Sequence, residues 1–449
     1  MKEFNKIIGY ASIKRELEQI ADVYVNKEKY DSLGVNPPVG ILIHGVPGVG
    51  KSLMASALID AIGIKCFVCR KDKPNGDFVK HIKEVFDKAA KEPSSIVFLD
   101  DMDKFANGDE RHPDSEEYVT VQSCIDEVRN KNVLVLATAN NLRCLPESLL
   151  RAGRFDRIIE VDTPNKKDSE QIIKHYLSDK KISDDFDYKS IAKIMNHCSC
   201  AELETIINEA GIYAGFDDEE YITMSHFLKA AMRLVFDVPV SAFEENAFDE
   251  ISKSDLINVA YHEAGHVLAH EVLDPGSVAL VSMFGSNYNM FGGRTVYSMG
   301  AGVDSFRKKE INIIGALAGI AAVEQKLGVR DTGCSGDLED AFDNVRDLIV
   351  NHCTSGFHLH GEYGEYSDEL REKQEQAVAT EIEKYYFKAK EIISRNNSFL
   401  ENTVNHLLEK KILCSKDIEN IKRESEKNNS VEKNSLYRYI ANDIDRRKI

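Results

Sequence analysis

Gly45-Val46-Pro47-Gly48-Val49-Gly50-Lys51-Ser52 stands directly behind the apolar run Ile41-Leu42-Ile43 and ahead of a helical run from Leu53 to Ile62. A buried strand that passes through a glycine-rich turn into a helix is a βα unit whose backbone N–H groups turn inward, with the helix N-terminus adding partial positive charge. Outward from it the same rhythm recurs, with short β-rich runs at 40–44, 64–68, 96–99 and 133–138 alternating with helical patterns to about residue 165. That alternation predicts a parallel sheet covered by helices on both faces. After Thr163-Pro164-Asn165 only helical spacing remains to about Pro239, as in Ile172, Ile173, Tyr176 and Leu177. The expected organisation is an α/β P-loop subdomain over 1–165, a small all-α lid subdomain with its linker over 166–245, a mainly α domain over 246–425, and a polar tail over 426–449.

A chain of 449 residues is too long for one hydrophobic core, and 43% apolar with 29% charged residues describes a globular chain rather than a disordered one. Its 57 basic and 75 acidic residues leave a net charge of −18, the wrong sign for tracking phosphate backbones or anionic lipid, so nucleic acid is not an expected partner. The most apolar stretches, such as Ile96–Leu99, Val133–Ala137 and Ala316–Val323, fall short of the roughly 18 residues that cross a bilayer. Met1-Lys2-Glu3-Phe4-Asn5-Lys6 lacks the shape of a secretory leader, so a cytoplasmic protein with no membrane anchor is expected. Nine scattered cysteines, including the lone Cys66/Cys69 pair and Cys198/Cys200, read as reduced thiols.

The Gly45–Ser52 stretch matches GxxxxGK[ST] in the strand-to-helix context that its mechanism needs. Pro47, Gly48, Val49, Gly50, Lys51, Ser52 and Leu53 are the expected nucleotide-binding residues, with Lys51 reaching phosphate oxygens and Ser52 ligating Mg²⁺. A second strand, Ile96-Val97-Phe98-Leu99, ends in Asp100-Asp101, where a parallel sheet presents its carboxyl edge to ligand. Asp100 is expected to hold magnesium through its hydration shell, and Asp101 to orient the attacking water. The run 133–138 leads into Asn140, whose amide can help position that water, and Arg151-Ala152-Gly153-Arg154-Phe155-Asp156-Arg157 gathers three arginines suited to charge on a transferring phosphoryl group.

Farther along, 255–273 reads as one helix, capped by Ser254 and stopped by Pro275, that contains His262-Glu263-Ala264-Gly265-His266. Spacing of i and i+4 puts both imidazoles on one face within reach of a single Zn²⁺, and Glu263 beside them suits a general base acting on water. A third ligand must come from elsewhere, because His270 lies about 12 Å along the helix axis from His262. The acidic candidates are Glu324, Asp331, Asp337, Glu339 and Asp340, and spacing does not choose among them. A last long helix is expected to start at Ser367.

With these motifs in this order, residues 4–422 resemble the FtsH family of ATP-dependent zinc metalloproteases. The resemblance implies an AAA+ ATPase module followed by a helical peptidase domain, with ATP, Mg²⁺ and one Zn²⁺ per subunit as cofactors, polypeptides as substrates and a homohexameric ring. It implies Asp337, in Gly336-Asp337-Leu338, as the third zinc ligand, Asn140 as the sensor asparagine, Arg154 and Arg157 as arginine fingers, and Ile8-Gly9 as the adenine contact. Three departures stand out. The chain begins directly on the ATPase module, which is expected to make it a membrane-free relative. The second acid is Asp101 where the family has Glu, which suggests slower hydrolysis. Lys73-Pro74-Asn75-Gly76 aligns with the family's aromatic pore loop, and the nearest aromatic is Phe78. The expected activity is ATP-fuelled zinc endopeptidase chemistry, with a non-proteolytic remodelling ATPase, or a peptidase limited to unstructured chains, as the alternatives.

Overall fold

The computed structural model describes residues 2–72, 75–106, 115–244, 247–249, 251–285, 291–298, 305–330, 333–360 and 367–428. Two compact units form, Met1–Ile182 with Met195–Ile212 and Ser183–Ile194 with Tyr213–Ile449. Lys73, Pro74, Asp331 and the tail from residue 429 lie outside the described residues.

In chain order the elements begin with α1 (Ala11–Val25), α2 (Lys27–Asp31), β1 (Gly40–His44), α3 (Lys51–Ile62), β2 (Lys65–Cys69), α4 (Asn75–Ala89), β3 (Ser95–Leu99), α5 (Ser115–Val128), β4 (Val133–Ala139), β5 (Arg157–Glu160) and α6 (Lys166–Leu177). The five strands form one parallel sheet in the order β2-β3-β4-β1-β5. β3 and β4 are buried along their whole length, which is why they read as unbroken apolar runs rather than alternating ones. The predicted strands fall within one residue of β1 to β4 at each end, whereas β5, signalled only by Ile158-Ile159, is an addition at the sheet edge. Gly45, Asp100 and Asn140 each follow the carboxyl end of β1, β3 or β4, three adjacent strands. The P-loop, the paired acids and the asparagine therefore share one edge.

A helical stretch follows, α7 (Tyr188–Ile194), α8 (Cys200–Phe216) and α9 (Met224–Leu234), the last held by a capping box between Thr223 and His226. The stretch 240–252, acidic and weakly patterned as a linker would be, contains a short 3-10 turn, and its Phe243 and Phe248 rings pack on Phe284 with centroids 5.1 and 5.2 Å away.

Then come α10 (Lys253–Leu273), β6 (Val278–Phe284), β7 (Phe291–Tyr297), α11 (Phe306–Leu327), α12 (Ser335–Val350), α13 (Asp368–Arg395), α14 (Asn397–Lys410), β8 (Ile412–Cys414) and α15 (Ser415–Asn428). Helix α10 starts earlier than expected. Its cap is Ser252, whose Oγ accepts from the Asp255 N–H at 3.1 Å, while Ser254 lies inside the first turn with its hydroxyl against that of Ser252. Ser367 caps α13 as expected, accepting from Leu370 N–H at 3.2 Å. A small antiparallel sheet, β7-β6-β8, was not foreseen, and β6 is buried throughout.

Helix α10 packs on α11 around Val267, Leu268, Ile313 and Leu317, in a core that extends to Val345, Ile393 and Leu400. The two helices approach so closely that a Cβ built on Gly265 would sit 2.4 Å from the Ala318 carbonyl oxygen and 2.8 Å from the Ala322 Cβ. Gly265→Ala is therefore expected to force α10 and α11 apart and to destabilise this unit by about 1–3 kcal/mol, the usual range for overpacking. Chemical denaturation followed by circular dichroism checks this, and an unshifted midpoint would show that the pair spreads at no cost.

Candidate functional site

The first unit encloses a cavity of about 560 Å³ at the carboxyl edge of its sheet, lined by Ile8, all of Pro47–Leu53, Asp101 and Asn140. Among the described residues it brings together most of the expected nucleotide contacts. Gly9 stands behind the lining. Its φ of +71° and the Asp168 Cβ, which a Cβ on Gly9 would approach to 2.9 Å, reserve the position for glycine, and Tyr10 N–H donates to Asp168 Oδ1 at 3.0 Å. Gly48, at φ +81°, is constrained in the same way, since a Cβ there would meet Ser199 Oγ at 2.8 Å and Ala201 Cβ at 2.9 Å. Sequence reasoning missed the apolar side of this cavity, formed by Tyr10, Tyr176 and Cys200, because those residues come from a turn and two distant helices. Tyr10 donates to Asp162 O at 3.0 Å.

Lys51 is buried, and its ammonium donates to the carbonyls of Gly45 and Val46 at 2.8 and 2.9 Å; burial pulls its pKa below the ordinary lysine value. Asp100 is 2% exposed, and its Oδ1 accepts from Ser52 Oγ at 3.2 Å and Thr138 Oγ1 at 2.9 Å. Burial works against the charge of Asp100, yet Arg70, Thr138 and Ser52 hold its carboxyl below the usual carboxylate range. Asp101 follows in a left-handed conformation, φ 53°, with its N–H donating to the same Thr138 hydroxyl at 2.9 Å. Its carboxylate accepts from Lys104 at 2.6 Å and from the Asn140 amide at a long 3.5 Å.

The two expected arginine fingers differ. Arg154 is paired within its own unit, to both oxygens of Asp126 at 2.9 and 2.7 Å and to Ser148 O, whereas Arg157 is exposed on β5. Phe78 is fully buried against Phe105, ring centroids 5.0 Å apart, so it packs the core rather than presenting an aromatic to a substrate.

In the second unit, His262 and His266 lie one turn apart on α10, and Asp337 comes from the first turn of α12. His262 Nε2 is 3.0 Å from His266 Nε2, and Asp337 Oδ2 is 2.9 and 3.4 Å from the two. Among the described residues this is the one group of three metal-capable side chains whose ligand atoms converge. Glu324 instead accepts from Tyr386 and Lys390 at 2.5 and 2.8 Å, and Glu339 and Asp340 are exposed. His266 Nδ1 donates to Gly315 O at 2.8 Å, which leaves its Nε2 lone pair directed at the other two donors. A cradle has been kept open here, since a Cβ on Gly319 would sit 2.7 Å from His266 Nε2 and 2.9 Å from His262 Cε1. Two imidazole nitrogens and a carboxylate oxygen, with one direction free, suit a tetrahedral zinc ion. Against the burial of both groups, the bond to Asp337 raises the His266 pKa to about 9 and the imidazoles hold Asp337 well below the carboxylate range. A cation at the same place would take over the role of those protons.

Glu263 is 4% exposed, and burial pushes its pKa up while the two imidazoles pull it back. Its Oε2 accepts from Thr295 Oγ1 at 2.7 Å, and its Oε1 lies against β7, where a Cβ on Gly293 would meet it at 1.9 Å. Sequence reasoning found neither Gly293 nor Thr295. His270 is buried and stacks on Tyr297, centroids 3.7 Å apart, which is the packing role its distance along the helix implied; burial drops its pKa to about 3.

Three family models match consecutive parts of the chain: the ATPase family associated with various cellular activities over residues 41–163, the AAA+ lid domain over 185–229 and peptidase family M41 over 249–421. The ATP-dependent zinc metalloprotease FtsH of Lachnoclostridium phytofermentans is 30% identical over 92% of this chain and 74% of its own length. The proteins of the same name from Helicobacter felis and Mycoplasma genitalium are each 29% identical, over 94% and 93% of this chain and 70% and 62% of theirs. Among the described residues no helix is long and apolar enough to cross a membrane. The order of the matched models, the convergent His262–His266–Asp337 donors and the P-loop cavity agree with that similarity, and the chain belongs to the FtsH family of ATP-dependent zinc metalloproteases.

Proposed function

We propose that His262, His266 and Asp337 hold one zinc ion per subunit and that Glu263 is the general base of peptide-bond hydrolysis. The observation that carries this reading is the convergence of the three donor atoms beside a buried carboxylate. Bound zinc supplies Lewis-acid polarisation of a carbonyl and lowers the pKa of water. Glu263, held against β7 by Thr295, takes a proton from the attacking water and returns it to the leaving amine. Gly315 fixes the ring of His266, and Gly319 leaves the ligand face open.

In the ATPase part, Lys51 releases the P-loop carbonyls to reach the phosphates, Ser52 and Asp100 hold Mg²⁺, and Asp101 with Asn140 orients the hydrolytic water. Arg157, already exposed, is the finger ready to act on a neighbouring subunit, while Arg154 must first leave Asp126. Fingers supplied in trans imply a ring, and a homohexamer acting on polypeptides is the assembly we propose. Nine cysteines scattered without a disulfide framework in the sequence fit a reducing compartment, and we place the protein in the cytoplasm. The burial of Phe78 and the engagement of Asp101 by Lys104 favour the narrower variant, in which unstructured chains are cut more readily than folded ones.

Degradation of one unfolded and one tightly folded substrate, with and without ATP, tests the proposal. Glu263→Gln is expected to lower cleavage by about 10²- to 10⁴-fold while zinc stays at one per chain and ATP turnover persists; unchanged cleavage would remove Glu263 from the chemistry. Asp337→Asn should lose zinc in elemental analysis, and retained zinc would point to another ligand. Asp101→Asn is expected to depress ATP turnover by about 10²-fold or more without lowering nucleotide affinity, measured by steady-state ATPase and by titration of a fluorescent nucleotide.

A further inference from the structure

The buried acid at the end of β3 already holds a cation supplied by the chain itself. Asp100 Oδ1 is occupied by the hydroxyls of Ser52 and Thr138, so Oδ2 is the oxygen left to face a hydrated metal. That oxygen accepts from Arg70 through Nε at 2.9 Å and through Nη2 as well, a two-pronged grip on one carboxylate oxygen. Arg70 immediately follows β2, the strand paired with β3, so the backbone register brings it to the carboxyl edge beside Asp100. Its side chain is 66% exposed, whereas that of Asp100 is 2% exposed, so the guanidinium can swing into solvent while the carboxylate stays. Asp101, one residue on, carries Lys104 in the same way at 2.6 Å, but Lys104 grips the acid assigned to water rather than to metal.

We propose that Arg70 is an intramolecular competitor for the divalent cation at Asp100, displaced from Oδ2 when Mg²⁺ enters, and that it thereby sets the metal requirement of the nucleotide site. The proposal rests on the reading of Asp100 as the acid that faces Mg²⁺. A guanidinium that remained in place would put a fixed positive charge next to a dication on the same carboxylate, and one that leaves forfeits a charge-assisted bond. Both routes weaken metal binding relative to a site without the arginine.

Mn²⁺, followed by its electron paramagnetic resonance signal, is the probe, titrated into the full chain saturated with ADP. Arg70→Ala should lower the apparent Kd for Mn²⁺ by about three- to tenfold, and Arg70→Lys by less, because an ammonium loses the paired N–H grip but keeps a competing positive charge. Lys104→Ala should shift it less than Arg70→Ala; an equal shift would mean that net charge alone is responsible and would overturn the proposal. Unchanged or weakened Mn²⁺ binding in Arg70→Ala would overturn it as well. Asp100→Asn separates the two layers. Loss of Mn²⁺ affinity in that variant, without a gain in Arg70→Ala, sinks only the role of Arg70, whereas wild-type affinity in Asp100→Asn sinks the assignment of Asp100 and the proposal with it.

Discussion

The hydrogen bond from His266 Nδ1 to the carbonyl of Gly315, 2.8 Å long, can form only because two helices meet with almost nothing between their backbones. Gly315 and Gly319 lie four residues apart and so on one face of α11, and each would drive a Cβ into a histidine of α10, His270 in one case and the His262–His266 pair in the other. Gly265 is the answering gap on α10. The contact fixes which nitrogen of His266 carries the proton and so frees the other for the site. It also explains how the His266 imidazole can be buried at this interface without stranding its polar atoms in an apolar core. His262 Nδ1, by contrast, is buried with no hydrogen-bond partner among the described residues, so its ring is oriented by Asp337 and His266 from the Nε2 side alone. Geometry that depends on ligand-side contacts is geometry that a bound cation would tighten.

The ATPase part solves a similar positioning problem with a sheet. Three neighbouring strands end together, and a single hydroxyl, that of Thr138 on β4, joins two of the groups that follow them by donating to the Asp100 carboxylate and accepting from the Asp101 amide. Because β3 and β4 are buried along their whole length, their ends cannot shift relative to one another without breaking the ladder that defines the core. Rigid strand ends with chemistry confined to the loops beyond them are what a nucleotide site at a parallel-sheet edge requires.

How much of this could be read beforehand follows from how local each device is. The P-loop, Asp100-Asp101 and His262–His266 are contiguous stretches whose spacing is itself the geometry, and the strands that carry the first two are apolar runs with turn residues at their ends. By spacing alone Asp337 is one acid among five, and only the family resemblance singles it out in the sequence, since a partner 75 residues away leaves no periodic trace; folding sets the first turn of α12 beside the α10 histidines. The strand pair β6–β7 was lost inside a domain read as helical, although the fully buried run Val278–Phe284 between Pro275-Gly276 and Gly285 has the length and punctuation of a strand. With β7 unseen, Gly293 and Thr295 had no reason to be near Glu263. The cap of α10 moved from Ser254 to Ser252 because two serines two residues apart offer the same chemistry and only backbone conformation separates them.

The substitution of aspartate for glutamate at position 101 takes on a different meaning beside these contacts. A shorter arm looks at first like lost reach, yet the backbone there is left-handed, a conformation that aspartate tolerates better than most residues with a Cβ. With its N–H tied to Thr138, the Asp101 side chain is aimed between Lys104 and Asn140 rather than extended alone toward the phosphates. One oxygen is committed to the ammonium and the other faces the asparagine amide, so a water held here would be shared by a carboxylate and an amide. In this chain the second acid stands as half of a pair with Asn140, the residue that follows β4.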